Sequence, residues 1–518
     1  MSDRRDDADG DARPPAASAS AGAADGSRGR SPALGAAVRR RLGIDVRALA
    51  VVRIALGVLL LVDLALRSRN LTAFYTDAGV LPRALLVESY PLAGASLYAR
   101  SGEPWAVAAL FLLAAVAAVA LAAGYRTRVA AAVSFVLLAS LQARNPFVLN
   151  AGDTLFWQLL GVGLLCPLGA RWSVDAVRNA RSTTARNPDA RRFAGPRSAL
   201  LLTVVLVVYV SNAVVKLRGE AWPAGEAVGT VFRLTYLHGP LGGLVPESPA
   251  LLTAATYGWL ALLLASPLLV AATGRVRTAL AGALVAAHLS MAPALQIGVF
   301  PLVSATALVA FFPPPVWDRI EAAAAPAIER CRSTAERGLA PAVGATAAAR
   351  PGLNALPARA TRGRVLDAVA AVLLVALLAW TATGLGLVDA PEPVAAVSDP
   401  AESDWDMFAP EPPSTDARVL ATATTADGDR IDALYGDAVA ADRPPSDARG
   451  YPTARWRKHV SLLATADAER VDATLAHLCD RATRPGGAAS SVTLSVVEFA
   501  PDTRRAVDRR DLGARRCR

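Results

Sequence analysis

Over its first 390 positions the chain alternates between long apolar runs and short polar, arginine-bearing intervals. Apolar runs fall at about 49–66, 104–123, 128–143, 153–169, 199–217, 250–272, 278–295, 298–312 and 365–387. Several approach the roughly 20 residues needed to cross a bilayer as a helix, so each is read as a span. The segment 81–100 (LPRALLVESYPLAGASLYAR) is shorter, carries Glu88 and Pro91, and reads as interfacial or re-entrant. Beyond residue 388 the pattern changes to alternation. ARVLATATT (417–425), DRIDALY (429–435) and SVTLSVVEFA (491–500) read as strands, and ADAERVDATLAHLCDRAT (466–483) reads as a helix. The predicted fold is an all-α polytopic membrane bundle of about nine transmembrane helices, followed by a small C-terminal extracytoplasmic α+β domain.

Arginine is unevenly distributed among the intervals. Arg39, Arg40, Arg41 and Arg47 precede the first run, and further arginines crowd 124–128, 170–198, 274–277 and 313–364. The alternate loops 67–103, 144–152 and 218–249 carry fewer and include Asp77, Glu88, Glu103, Glu220, Glu226 and Glu247. By the positive-inside rule the N-terminus is cytoplasmic and residues 388–518 lie outside the cell membrane. Residues 1–36 are polar and without periodicity, which predicts a disordered tail rather than a cleavable signal. The inner segment 321–363 combines the end of a surface-lying helix (317–339) with an Ala/Pro/Gly-rich linker (340–357), and 364–387 forms the last span.

Composition agrees with this pattern. The 518 residues are 53% hydrophobic and 19% charged, with a net charge of +10. Because the positive charge sits in the loops, topology accounts for it and a nucleic-acid partner is not implied. The cysteines Cys166, Cys331, Cys479 and Cys517 form no CxxC, and four histidines offer no metal spacing, so no metal is expected. Cys479 and Cys517 both fall in the outer domain, either as a disulfide or as two free thiols.

Candidate chemistry begins at Lys216, one of only two lysines, the other being Lys458. It closes the run LLTVVLVVYVSNAVV. An ammonium there is costly to desolvate, which favours a neutral amine able to act as a base. The competing reading is a lysine that snorkels to the interface. His288 lies within a run, either as a core histidine satisfied by a neighbouring helix or as a functional group. Arg53 and Asp63 are ten positions apart and cannot pair along one helix, so each is expected to meet a residue on another span. SDWDMFAPEPP (403–413), just after the last run, reads as a membrane-surface plug joining the two domains.

Several polar signatures interrupt the runs in a fixed order: Arg53 in VVRIALGVLLLVDLALR, Tyr125-Arg126, WSVD at 172–175, Lys216-Leu217 followed by Trp222, and His288 leading into IGVF at 297–300. Together, over about residues 40–320, they resemble the membrane domain of the vitamin K-dependent γ-carboxylase superfamily, whose microbial members are the HTTM proteins. The resemblance implies a membrane enzyme with an outward-facing cavity, in which Lys216 matches the base that starts oxidation of a quinol. It implies a lipid quinone as cofactor, with Lys216, His288 and Asp153 as catalytic residues and Asn150, Trp222 and His238 as cofactor-binding ones. One departure stands out. Where carboxylating members carry a histidine after paired asparagines, this chain reads Asn150-Ala151-Gly152-Asp153. Either Asp153 handles protons differently or the reaction is not glutamate carboxylation.

The expected function is therefore a quinol-linked oxidase- or lyase-type membrane enzyme. Its expected partners are membrane lipid and an extracytoplasmic peptide or small-molecule substrate. The alternative is a non-catalytic transporter or a scaffold presenting its outer domain. A transporter would be expected to show internal repeats with broken helices, and none is seen.

Overall fold

The computed structural model describes residues 30–180, 191–338, 356–392, 405–435, 451–482, 489–500, 503 and 505–517. The expected tail at 1–29 and most of the 340–357 linker lie outside the described residues. Helix α1 (Arg30–Leu42) already occupies the end of the segment expected to be disordered.

The bundle is organised around α2 (Val46–Ser68) and α9 (Pro196–Lys216). Asp45 caps α2 by accepting from Arg47 N, and a two-stranded ribbon, β1 (Ile44–Asp45) with β2 (Arg192–Phe193), pins its start. Along α2 pack α5 (Pro104–Ala123), α7 (Ala151–Gly163) and α14 (Phe300–Leu308). Along α9 pack α7, α11 (Pro249–Ala265) and α16 (Leu356–Gly384). Between these, α3 (Leu71–Tyr75) and α4 (Arg83–Ser89) follow α2, while α6 (Thr127–Arg144) packs on α5 and α7. The remaining helices are α8 (Val174–Ala180), α10 (Ala227–Arg233), α12 (Leu268–Ala271), α13 (Gly274–Ala294) and α15 (Pro314–Gly338).

Among the described residues, four helices are long and apolar enough to cross a membrane: α2, α5, α9 and Thr361–Gly384 of α16. The count rises to five if Phe300–Phe311 and Pro314–Pro326, which meet at 104°, form one span. Nine spans are not reached, and the reasons are local. The run at 153–169 stops being helical after Gly163, and 250–272 breaks at Ser266-Pro267. The run at 298–312 tightens into a 3₁₀ turn at Val309–Phe311 before Pro313-Pro314. Helices α6 and α13 are longer, but Arg128, Gln142 and Arg144 in one, and Arg275, Arg277 and His288 in the other, dilute their hydropathy. The interfacial segment 81–100 is α4 followed by two 3₁₀ turns, Pro91–Ala95 and Leu97–Ala99.

The buried charges of α2 have definite partners. Arg53 donates to the carbonyls of Ala122, Leu168, Arg171 and Trp172, the last at 2.6 Å. The turn that gathers these carbonyls requires Gly124, at φ +69°, because a Cβ there would meet Ser173 at 2.3 Å and the Arg53 guanidinium at 2.5 Å. Asp63 corrects the expectation of a partner on another span, since it bonds Arg67 one turn along the same helix at 2.6 Å.

The C-terminal domain is a four-stranded antiparallel sheet in the order β4 (Arg430–Asp432), β3 (Asp416–Thr425), β5 (Ala489–Phe499), β6 (Ala506–Arg516). Helix α17 (Ala454–Ser461) packs on β3, and α18 (Ala468–Ala482) covers β5 and β6. A disulfide joins Cys479 to Cys517, resolving the choice left open by spacing. This domain is docked firmly on the bundle. Trp456 is fully buried against Phe74, with ring centroids 4.8 Å apart, and donates to Asn70 Oδ1. A single apolar core runs from Phe74 and Tyr75 to Leu475 and Val492.

Candidate functional site

Lys216 ends α9 fully buried, and its surroundings come from the segment after the last span. Its Nζ donates to the carbonyl of Met407 at 2.6 Å and to that of Phe408 at 3.4 Å. The ammonium also lies 3.7 Å from the centre of the Trp222 ring, a cation–π geometry, and Trp222 Nε1 donates to the same Phe408 carbonyl at 2.8 Å. One turn back on α9, Asn212 Nδ2 donates to the carbonyl of Trp405 at 2.8 Å. Glu411 then accepts from the backbone N–H groups of Glu220 and Ala221. Residues 405–411 thus form a strap lying along the C-terminal end of α9. Its backbone enters the left-handed region at Phe408, φ 60°, which a non-glycine residue adopts at a cost of about 1–2 kcal/mol. Among the described residues, no carboxylate lies within ion-pair distance of Lys216.

His288 occupies the same α9 face deeper in the bundle. Its Nε2 shares a hydrogen bond of 3.0 Å with Tyr209 OH, and the ring is flanked edge-on by Trp259 and Phe300, each with centroids 5.5 Å away. Its Nδ1 is buried with no hydrogen-bond partner among the described residues. Tyr209, Asn212 and Lys216 fall at i, i+3 and i+7, so they share one face over about 10 Å of helix rise. His288 and Lys216 are linked along this stripe and do not touch.

The Asn150–Asp153 turn belongs to a different constellation. Asp153 accepts from Asn150 N at 2.9 Å, capping α7, and pairs with Arg67 at 2.5 Å. Arg455 of α17 reaches the same cluster, 2.7 Å from Asp63 and 3.4 Å from Asp153, and Tyr75 OH accepts from Arg67. Two carboxylates and two guanidiniums therefore balance in a dry interface. The turn meets the histidine region only through packing, because Gly152 lies against the Phe300 backbone, where a Cβ would come within 2.6 Å. His238 stands apart, with Nε2 hydrogen-bonded to the Phe232 carbonyl and the residue bridged to Leu295.

Sequence reasoning missed Tyr209, Asn212, Arg67 and Arg455. Asn212 and Tyr209 carried a usable signal, as polar groups one and two turns before Lys216 in an apolar run. Arg67 stood four residues after Asp63. Nothing local marked Arg455.

A helical bundle with four to five candidate spans, buried polar clusters and a docked sheet domain defines an integral membrane protein. Residues 42–317 match the HTTM domain model, and the chain belongs to that family. No curated protein and no solved structure matches it.

Proposed function

We propose that this HTTM protein is a membrane enzyme in which Lys216 moves a proton at the outer end of α9, acting on an amphiphile of the lipid-quinol type. The observation that carries this reading is the setting of the amine. Lys216 is buried, and among the described residues its direct contacts are neutral carbonyls and an indole face, with the Asp406 carboxylate acting on it from beyond ion-pair distance. Such an amine can release its proton without breaking a direct ion pair, which suits a base better than a structural salt bridge. The strap must withdraw before Nζ can reach a substrate.

What supports a quinol is the Nδ1 of His288, which has no hydrogen-bond partner among the described residues and would offer a polar contact beside the rings of Tyr209, Trp259 and Phe300. A bound quinol would supply two electrons and an ionisable hydroxyl. Tyr209 would hold His288 in one ring orientation, Trp222 would keep the Lys216 chain extended, and the apolar flanks would exclude water. Asp153 is committed to Arg67, Arg455 and the start of α7, so it is poorly placed to replace the absent histidine. The reaction is therefore not glutamate carboxylation.

Aerobic quinol consumption by purified protein in lipid tests this reading. Wild type should turn over, and both Lys216→Ala and Lys216→Arg should not, because a guanidinium stays protonated. Turnover retained in Lys216→Arg would remove the base assignment. Robust CO2 incorporation into glutamyl peptides would show that the missing histidine is dispensable.

The strap hydrogen bonds themselves favour a second reading, a scaffold whose Lys216 fastens the outer domain. On that reading wild type shows no turnover, and Lys216→Ala frees 405–411 to proteolysis. We also place the N-terminus inside and the C-terminal domain outside from the arginine distribution. Reporter fusions at Ala340 and Asp437, both outside the described residues, should then report opposite sides.

A further inference from the structure

The end of the bundle remote from Arg455 holds a cavity of about 650 Å³ between α6, the α7 C-terminus and α8. Three arginines line it: Arg126, Arg128 and Arg178. Arg197 and Arg362 lie near enough to Arg128 to repel its charge. Arg197 is paired with Asp367, but Arg128 has no hydrogen-bond or ion-pair partner among the described residues. Asp175 also lines the cavity, and its charge is already engaged. Its carboxylate accepts from Arg126 N at 3.0 Å, Thr127 N at 2.7 Å and Thr127 Oγ1 at 2.7 Å, which fixes α8 against the start of α6. That clamp is what brings Arg178 beside Arg126, both of them 5.8 Å from the Tyr125 ring centre.

The rest of the wall mixes the polar Thr127 and Asn179 with apolar side chains. Leu164, Leu168 and Val129 line the cavity, and Tyr125, Val129, Trp172 and Val177 stand exposed around it. In water such exposure would be unfavourable, whereas at a bilayer boundary aromatics and arginines sit at headgroup level above apolar side chains. A basic cavity with a greasy rim matches a molecule with an anionic phosphate head and acyl tails. We propose that this cavity binds the phosphate ester of an anionic phospholipid, with Arg126, Arg128 and Arg178 around the headgroup and Val129 and Leu164 along the first acyl carbons. Bidentate guanidinium contacts suit phosphate oxygens better than a choline head. This site lies at the other end of the bundle from Lys216 and does not depend on the proposed chemistry.

The test uses full-length protein in nanodiscs of phosphatidylcholine doped with increasing phosphatidylglycerol, read by native mass spectrometry of retained lipid and by thermal unfolding. Phosphatidylglycerol should be retained and should raise Tm, while inorganic phosphate and glycerol phosphate should do neither. Arg128→Gln and Arg178→Gln, both at exposed positions, should each weaken retention about fivefold, as expected for about 1 kcal/mol per arginine near an anionic lipid. Arg275→Gln, another exposed arginine, should change nothing. Equal retention of both lipids, or equal loss in the Arg275 variant, would reduce the effect to diffuse surface charge and overturn the proposal. Stabilisation by inorganic phosphate with no lipid preference would assign the cavity to a free anion and overturn the lipid source.

Discussion

Arg455, on the first described helix of the C-terminal domain, places its guanidinium 2.7 Å from the carboxylate of Asp63 in α2. These residues are nearly 400 positions apart, and both are buried. With Arg67 and Asp153 they form a balanced four-charge cluster, so removing one member leaves an uncompensated charge in a dry interface. Arg455→Ala should destabilise domain docking by about 3–5 kcal/mol, and Arg455→Ala with Asp63→Asn should recover part of that loss. Limited proteolysis of the C-terminal domain together with thermal unfolding checks this. Full additivity of the two substitutions would show that the pair is not coupled.

The strap over Lys216 predicts selective chemistry at the chain's two lysines. Lys458 is half-buried, and burial together with neighbouring Arg457 holds its ammonium below the ordinary lysine range, so it should react readily with an acylating reagent. Lys216, enclosed by Met407, Phe408 and Trp222, should not. Trp405→Ala with Phe408→Ala removes two apolar anchors worth about 1–3 kcal/mol each and should raise Lys216 acylation about tenfold or more. Peptide mass spectrometry reads both sites in one digest. Unchanged labelling of Lys216 would mean that the strap is not what shields it.

His459 should make the C-terminal domain acid-sensitive. Burial, aided by Arg470 and His477, pushes its imidazole down to about 3, and its Nε2 shares a hydrogen bond with Thr474. The folded state then binds fewer protons than the unfolded state, whose histidine titrates near 6.5, so stability rises with pH between those values. This contribution is complete above about pH 6.5 and is lost as pH falls, by about 2 kcal/mol at pH 5. Denaturant unfolding across that window should show the slope, and His459→Gln should flatten it.

The Cys479–Cys517 disulfide closes α18 onto the strand end beyond β6 across 38 positions. Reduction, or Cys479→Ser, should cost the C-terminal domain about 2–4 kcal/mol through the freed unfolded chain. Protease resistance of the C-terminal domain under reductant provides the readout, with the membrane helices unaffected. Equal stability in both redox states would place the two sulfurs apart in solution.

Much of the architecture was readable from the chain alone, because its signals are local. Hydropathy located α2, α5, α9 and α16, since an apolar stretch of that length is costly to leave in water whatever its neighbours. Period-two alternation marks β3 and β5. Lys216 stands out by composition, and the ordered motifs over about residues 40–320 point to the family whose model matches residues 42–317. Tertiary structure alone decided the partners. An apolar run does not say whether it spans or breaks, and the breaks at Gly163, Ser266-Pro267 and Val309 depend on packing and on the residues that flank them. Nor does a lysine's position reveal its acceptors, because the carbonyls of Met407 and Phe408 arrive from about 190 residues away and any residue can supply a carbonyl. The Asp63–Arg455 pair is of the same kind. Each residue looks unremarkable in its own segment, and only folding brings the two charges together where water cannot separate them.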